Sequence, residues 1–392
     1  MCIRDRGNTG AVTLTGTGNS IGAIGSYSVT GGGGFALTNG SGIGVVGKVS
    51  ASGANIVLTS TGTGPGGAIS LSNTGTLAAG TGTVTAQADA FSVTGNGSVT
   101  GAMFEYAPNS SEALTLGTGG NIVDLTGIAT TAVRLGAVNG SVIATGITTV
   151  GTFDLGVGNS GHALPLDLEA TGTVTDGGTF PFLNVSTLTG TVSGGSLSLT
   201  NNSAGIASIG GFTVTGINNG FTIQQPTGTL IVNGPLSAPS ITLASGNIKV
   251  PGSISTGGLL SLTANPGTIS GAGTIAAGTL AGSASTTINL SGTNQIGTLG
   301  SLTGTAITLN DGTALTIANT VSASGSVALT SGGLLTVGNG QTVTGTSVAL
   351  TGTSLAITGE VTDGGSGTVT LVATTGSISE AGTIVALSLI HI

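Results

Sequence analysis

The sequence predicts an all-β protein that folds as a parallel β-helix, or β-solenoid, with about 20 residues in each coil. Three observations carry this prediction: apolar residues alternate with a period of two, helix formers such as Glu, Lys, Arg and Gln are scarce, and a triplet of aliphatic residue, variable residue and leucine recurs. The later triplets end on Leu243, Leu262, Leu290, Leu309, Leu329, Leu350 and Leu371. Their step is nearly constant except for a longer one between Leu262 and Leu290, and a similar step separates the earlier Leu116, Leu135 and Leu155.

The two ends of the chain do not share this pattern. Residues 1–6 read MCIRDR and residues 387–392 read LSLIHI, and the genetic code allows both to be inverted copies of one DNA stretch that resembles the transposase mosaic-end adapter of sequencing libraries. We interpret both hexapeptides as adapter-derived and non-native, which assigns Cys2 and His391 to the adapters. The β-solenoid repeat region is then 7–386, expected to be an internal fragment of a longer reading frame.

Within the repeat region, each triplet bounded by Gly, Asn or Ser is expected to form a short strand. In the triplet that ends at Leu329, Val327 and Leu329 should face inward and Ala328 outward, because side chains alternate across a strand. Three strands and their glycine turns would make one coil, and successive coils would pair as parallel strands. At about 4.8 Å per coil, the repeat region would contain roughly 19 coils in a rod of about 90 Å.

Residues 103–188 are less monotonous than the rest of the chain. They contain Phe104, Tyr106, Phe153, Phe180 and Phe182 together with seven acidic residues, whereas residues 222–386 have no aromatic residue and only five charged ones. A loop excursion, or a seam between two solenoid segments, is therefore expected in this range.

The composition excludes several classes of protein. Charged residues make up 5% of the chain, against about 25% in ordinary globular proteins. The net charge of −8 and the few basic residues make nucleic acid an unexpected partner. The hydrophobic fraction of 38% argues against disorder, and no apolar run is long enough for a transmembrane helix.

Two longer repeats suggest a family. GTISGAGTIAA at 267–277 recurs as GSISEAGTIVA at 376–386, and GTVTDGG at 172–178 recurs as GEVTDGG at 359–365. With the leucine steps, these segments resemble the repeats of filamentous-haemagglutinin-type bacterial exoproteins. The resemblance implies a right-handed parallel β-helix in a large secreted or cell-surface adhesin, exported through an outer-membrane transporter. Its partner would be a host-cell, glycan or neighbouring-cell receptor, and two-partner secretion and autotransport both remain open as routes.

One segment resembles a phosphate-binding loop. GIGVVGK at 42–48 nearly matches the P-loop pattern, and Gly42, Gly44 and Gly47 satisfy GxGxxG. However, Val49 stands where Ser or Thr should hold magnesium, and no helix is expected to follow. Chance matches are common in a glycine-rich chain, so we assign no nucleotide site.

A second candidate is a group of polar residues, namely Asp154, His162, Asp167, Glu169 and Asp176. Their oxygens could bind calcium, and Asp167 and Glu169, separated by a single residue, could share one face as in carbohydrate-active β-helices. A solvated polar loop is the simpler interpretation, because neither an EF-hand nor a calcium nonapeptide is present. We therefore assign no catalytic, cofactor or metal residue.

Threonine-rich TxT units raise a third possibility, an ice-binding face, with units at 83–85, 173–175, 213–215, 342–344 and 368–370. Such a face needs threonine at the same outward position in every coil, whereas the outward residues of the later triplets are mixed.

We expect a structural or adhesive rod segment without catalysis. The alternatives are a carbohydrate-active β-helix and an ice-binding solenoid.

Overall fold

A computed structural model of the chain confirms the predicted fold class. It describes residues 6–8, 10–117, 125, 127–151, 153–156, 161–176, 182–201, 205–365 and 367–392. The described strands form a parallel β-solenoid of about 17 turns, in which strands recur about every 21 residues. The expected number of coils was too high, because several turns in the N-terminal part are longer than the predicted step; Ile56, for example, pairs with Val84. Residues 1–5 of the first adapter-derived hexapeptide lie outside the described residues.

The chain divides into two compact units, Met1–Ala207 and Ser208–Ile392. The first unit contains one short 3₁₀ helix among its described residues, Gly64–Gly67. Its strands in chain order are β1 (Arg6–Asn8), β2 (Val12–Leu14), β3 (Ala23–Ile24), β4 (Tyr27–Val29), β5 (Phe35–Asn39), β6 (Ile43–Val45), β7 (Lys48–Ala51), β8 (Ile56–Ser60), β9 (Ile69–Leu71), β10 (Thr76–Ala78), β11 (Thr83–Gln87), β12 (Phe91–Val93), β13 (Ser98–Gly101), β14 (Met103–Ala107), β15 (Ala113–Leu116), β16 (Ile128–Thr130), β17 (Val133–Leu135), β18 (Ala137–Val138), β19 (Ser141–Val142), β20 (Gly146–Thr149), β21 (Phe153–Asp154), β22 (Leu164–Ala170), β23 (Val174–Thr175), β24 (Phe182–Leu183), β25 (Val185–Val192) and β26 (Leu197–Leu199).

The second unit consists of strands and turns. Its strands are β27 (Ser208–Val214), β28 (Gly220–Gln224), β29 (Thr229–Val232), β30 (Leu236–Ser237), β31 (Ser240–Ser245), β32 (Asn247–Lys249), β33 (Ser253–Ala264), β34 (Ile269–Gly271), β35 (Thr274–Ala284), β36 (Thr287–Gly304), β37 (Ala306–Asp311), β38 (Leu315–Ile317), β39 (Val321–Ala323), β40 (Ser326–Ser331), β41 (Leu334–Val337), β42 (Thr342–Thr344), β43 (Ser347–Gly352), β44 (Ser354–Ile357), β45 (Glu360–Thr362), β46 (Thr368–Ala373), β47 (Ile378–Glu380), β48 (Thr383–Val385) and β49 (Ser388–His391). No helix among the described residues of the chain is long and apolar enough to cross a membrane.

The first unit pairs its strands in parallel ladders. The longest runs β2, β5, β8, β11, β14, β17, β22 and β25. Beside it lie the ladders β1–β4–β7–β10–β13–β16, β3–β6–β9–β12 and β15–β20–β23–β26. One exception falls within residues 103–188: β18 and β19 form an antiparallel hairpin that leaves the ladder after β17.

The last turns of the second unit are regular. Each is built from three strands, as in β37–β38–β39 and β40–β41–β42, and each strand pairs with its counterpart one turn later. In β40, Val327 and Leu329 are buried and Ala328 is half-buried, which confirms the predicted facing of this triplet.

The seven later leucines are all buried, but they do not form the single column that their steps suggested. Five of them are successive partners in one column, formed by Leu290, Leu309, Leu329, Leu350 and Leu371. Leu243 pairs with Leu262 in a different column, which continues through Gly282 to Leu302. The longer step between Leu262 and Leu290 is therefore a change of ladder. The earlier leucines also separate, since Leu116 pairs with Thr149 whereas Leu135 pairs with Leu168.

Buried polar side chains lie at corners of the turns. Asn294, Asp311 and Ser331 are successive partners at one corner. The Asn294 Oδ1 accepts a hydrogen bond from the Ile275 N–H at 3.0 Å, and the Asp311 Oδ1 accepts one from the Ile296 N–H at 2.7 Å. These side chains satisfy backbone groups where the chain turns and strand pairing is interrupted.

The repeated TDGG segment has the same role at both of its positions. Asp176 and Asp363 are each only 1% exposed. The Asp176 carboxylate accepts a hydrogen bond from the Asn201 N–H at 2.6 Å. The Asp363 carboxylate accepts one at 3.0 Å from the N–H of Leu387, the first residue of the hexapeptide interpreted as adapter-derived. In both repeats the aspartate thus binds a backbone amide of a following turn.

Candidate functional site: a covered row of charged residues

The predicted group of polar residues between Asp154 and Asp176 does not form one site. Asp154 accepts hydrogen bonds from the Gly156 N–H and the Asn184 amide at 2.8 and 2.7 Å, and Asp176 is buried at its own corner. His162 is exposed just before β22. Within the described part of the chain, no three His, Cys, Asp or Glu side chains are grouped so that they could hold a metal ion.

Asp167 and Glu169 do share one face of β22. The strand alternates, with Leu166 and Leu168 buried toward the core and the two acids half-buried on the outer face. The expectation from their spacing is therefore confirmed, and these two residues are where the candidate site begins.

Three charged residues lie side by side on neighbouring strands of the longest ladder. In register, Glu105 of β14 pairs with Arg134 of β17, and Arg134 pairs with Asp167 of β22. The Arg134 Nη1 lies 2.8 Å from the Glu105 Oε1, and its Nε lies 2.7 Å from the Asp167 Oδ2. The hydrogen bond to Asp167 is the main reason that the pKa of Arg134 is raised. We call Glu105, Arg134, Asp167 and Glu169 the charged row.

The hairpin β18–β19 covers this row. Asn139 and Gly140 form its two-residue turn with positive φ values of 50° and 78°, as a type I′ turn requires. Strand β18 of the hairpin packs against β11, β14, β17 and β22, and the Asn139 N–H donates to the Glu105 Oε2 at 3.3 Å. Glu105 is only 6% exposed although it points away from the core, because the hairpin lies over it.

Glu169 has the most altered acidity in the row. Its pKa is raised from 4.5 to about 7, first by burial and second by the nearby Asp167 carboxylate, while Arg134 and the Thr191 hydroxyl act in the opposite direction. Near neutral pH, Glu169 therefore exists in both protonated and ionised forms.

A buried tyrosine lies directly beneath the row. Tyr106 alternates with Glu105 in β14 and its hydroxyl donates to the Ala88 carbonyl. Burial, with the negative charge of Asp89, raises the pKa of Tyr106, so it stays protonated. Its ring packs against Phe91 and Phe104 with centroids 5.9 and 6.5 Å apart, which makes the base of the row rigid.

The P-loop-like segment has an ordinary structural role. It spans β6 and the start of β7, and a strand rather than a helix begins at Lys48. The Gly42 and Gly44 N–H groups donate to carbonyls of Gly66 and Gly22, so they are already used in neighbouring turns. A Cβ at Gly47 would lie 2.5 Å from the Ser26 nitrogen, so glycine is needed there for close packing between turns.

Two columns of hydroxyl side chains on the second unit were not predicted from the sequence. The outward column of the triplets is mixed, as expected, and consists of Asn289, Thr308, Ala328, Ala349 and Thr370. Two other outward columns are continuous. One is formed by Thr263, Ser283, Thr303, Ser322, Thr344 and Thr362. The other is formed by Thr279, Thr298, Thr316 and Thr336.

No protein-family model, curated protein or solved structure matches this chain. The fold is that of a β-helix repeat protein, whereas the narrower likeness to filamentous-haemagglutinin-type exoproteins has no support from these comparisons.

Proposed function

We propose that this chain is a structural and adhesive segment of a large secreted or cell-surface bacterial protein, and that it performs no catalysis. The observation that carries the proposal is the continuous apolar column of the second unit, in which Leu290 to Leu371 are buried in successive turns. A stack of this kind stabilises a repetitive surface without requiring a pocket.

The placement of the polar residues supports a role without catalysis. Asp154 and Asp176 are held in separate hydrogen bonds, and Arg134 is engaged by two carboxylates, Glu105 and Asp167. A glycosidase or lyase site needs carboxylates that converge on one substrate bond. The alternative of a carbohydrate-active β-helix would rest on Asp167 and Glu169, which share one face of β22, and Asp167 is already bound by Arg134.

Adhesion would occur through many weak contacts. The two hydroxyl columns place uncharged donors and acceptors at a spacing of about 4.8 Å from one turn to the next. Repeated weak hydrogen bonds to a glycan or another hydroxyl-rich receptor would add up through multivalency. A filamentous-haemagglutinin-type exoprotein, exported through an outer-membrane transporter, fits this role and the sequence repeats.

The experiment compares binding of the full chain and of two variants to a panel of immobilised polysaccharides and to whole cells. T303V/T344V/T362V removes three hydroxyls from the longer column, and T308V removes one from the mixed triplet column as a control. We expect the triple variant to lose most of its binding and T308V to retain it. Equal binding by all three proteins, or release of sugar products from the panel, would refute the proposal.

Ice binding is a second candidate, and the hydroxyl columns favour it more than the triplets did. A flat threonine array on one face is the feature that such a function needs, and Thr279, Thr298, Thr316 and Thr336 provide four consecutive positions. Thermal hysteresis of the full chain, lost in T298V/T316V, would support it. Freezing-point behaviour equal to that of bovine serum albumin at the same concentration would eliminate it.

A further inference from the structure

The hairpin β18–β19 contacts a charged side chain of the row at its tip and the backbone beside the row at its root. At its root, Gly136 lies opposite Glu169, and a Cβ there would fall 1.8 Å from the Glu169 carbonyl oxygen. At its tip, the Asn139 N–H binds Glu105. The hairpin therefore spans the row from Glu169 to Glu105, and a change of charge in the row acts on its tip, where the Asn139 N–H binds the Glu105 carboxylate.

The charges in the row do not balance. Asp167 faces Glu169 from the same strand, and Arg134 faces it from β17. β25 contributes the Thr191 hydroxyl and no charged side chain, the hairpin has no titratable side chain, and Glu105 of β14 lies on the far side of Arg134. Among the described residues of the row, Arg134 is thus the single positive charge beside three carboxylates. Two of these, Glu105 and Asp167, already bind it.

We propose that the hairpin is a pH-operated cover, closed over the charged row while Glu169 carries a proton and loosened when Glu169 loses it. Ionised Glu169 repels Asp167 and competes for Arg134, which weakens the hold of Arg134 on Glu105. Glu105 also accepts the Asn139 N–H, so the tip of the hairpin loses its orientation. Opening admits water to the row and relieves the desolvation of the new charge.

A probe on the hairpin tests this directly. In the full chain with Cys2 replaced by serine, S141C is labelled with an environment-sensitive fluorophore and its emission is followed between about pH 5.5 and about pH 8.5. We expect one transition with a midpoint near the Glu169 pKa of about 7. Hydrogen exchange of the hairpin amides, corrected to a common intrinsic rate, should become several-fold faster across the same transition.

Three variants separate the proposal from a general effect of pH. E169Q mimics the protonated acid and should stay closed at every pH. T191V removes a hydroxyl that favours the ionised form, so it should move the midpoint upward. E112Q, the same change at an exposed glutamate, should leave the transition unchanged. If E169Q retains the transition, or if neither the fluorophore nor hydrogen exchange detects one in the parent protein, the proposal is wrong.

Discussion

Glu169 shows how one half-buried carboxyl group can make stability depend on pH. Its pKa in the folded chain, about 7, lies above its ordinary value of 4.5, so the folded state holds the proton more tightly than the unfolded state does. The stabilising contribution is complete below about pH 4.5 and is lost as the pH rises toward 7.

We predict that E169Q makes the free energy of unfolding less dependent on pH. Because the group is half exposed, solvent screening reduces the effect to on the order of 1 kcal/mol between pH 5 and pH 8. Urea unfolding midpoints of the parent and of E169Q at the two pH values measure it. An equal slope in both proteins would show that other groups control the pH dependence.

A second residue-scale prediction concerns the corner aspartate Asp311. It is 1% exposed, and burial raises its pKa even though it accepts hydrogen bonds from the N–H groups of Ile296 and Thr313. The preceding position of the same corner is Asn294, so an amide is compatible with this geometry. D311N should therefore cost about 1 kcal/mol or less, because it keeps one acceptor and removes the buried charge.

D311L is the matched contrast, because it leaves both N–H groups without their acceptor. Each such loss costs about 1 to 3 kcal/mol. Faster hydrogen exchange at the amides of Ile296 and Thr313 would show that these hydrogen bonds are lost. The free energy of global unfolding measures how much stability is lost with them. If D311L proved as stable as D311N, hydrogen bonding at the corner would not be what Asp311 contributes.

At the scale of the element, the unit of stability is the strand triplet. Leu309 is buried between Leu290 and Leu329, its partners in the turns before and after. L309A should cost about 2 to 5 kcal/mol, through lost burial and the cavity that remains. L309D should open the stack locally, because an unpaired charge would enter an apolar column.

T308A is the control for these variants, since Thr308 is the exposed neighbour on the same strand. It should change stability by no more than about 0.5 kcal/mol. Limited proteolysis with mapping of the cleavage sites shows whether opening is confined to β37 and its neighbouring strands. Unchanged protease resistance in L309D would contradict the register of this column.

The sequence predicts these triplets well because period-two alternation and a constant step report the same geometry. Leu309, Leu329 and Leu350 follow one another at a nearly constant step, and the structure stacks them. The step from Leu262 to Leu290 gave a wrong prediction of which leucines stack. Alternation identifies a residue that faces inward, but it does not show to which ladder of strands that residue belongs. For the same reason, the similar step from Leu116 to Leu135 does not mean that these two leucines pair.

The site was less predictable than the fold. Asp167 and Glu169 could be placed on one face from their spacing. Arg134 could not be joined to them, because its sequence separations from Asp167 and from Glu105 are 33 and 29, in turns longer than the repeat. The hydroxyl columns could not be recognised in the sequence, because Ser and Thr occur throughout the chain. Only the strand register selects Thr263, Ser283 and Thr303 from the others.

At the scale of the whole molecule, each of the regular late turns pairs only with the turn before and the turn after it, so a complete turn should be removable. Val327 and Val348 are register partners, and deletion of residues 327–347 would place Val348 directly after Ser326. The strands β37, β38 and β39 would then meet β43, β44 and β45 with the same facing of side chains. We predict a folded chain with one turn fewer and a similar melting temperature.

Deletion of residues 327–336 is the control, because it removes half a turn and breaks the register of every strand that follows within the unit. Circular dichroism and proteolysis distinguish the two deletions. If both were equally folded, or both unfolded, the turn would not be the modular unit of this chain.

The stacking of Val327 on Val348 also has a genetic consequence. Unequal recombination between stretches of DNA that encode equivalent turns changes the reading frame's length by whole turns, and each product retains matching neighbours. Natural alleles of this gene should consequently differ in length by multiples of about 63 base pairs, three for each of about 21 residues in a turn. Selection could then change the number of turns without any new packing having to evolve.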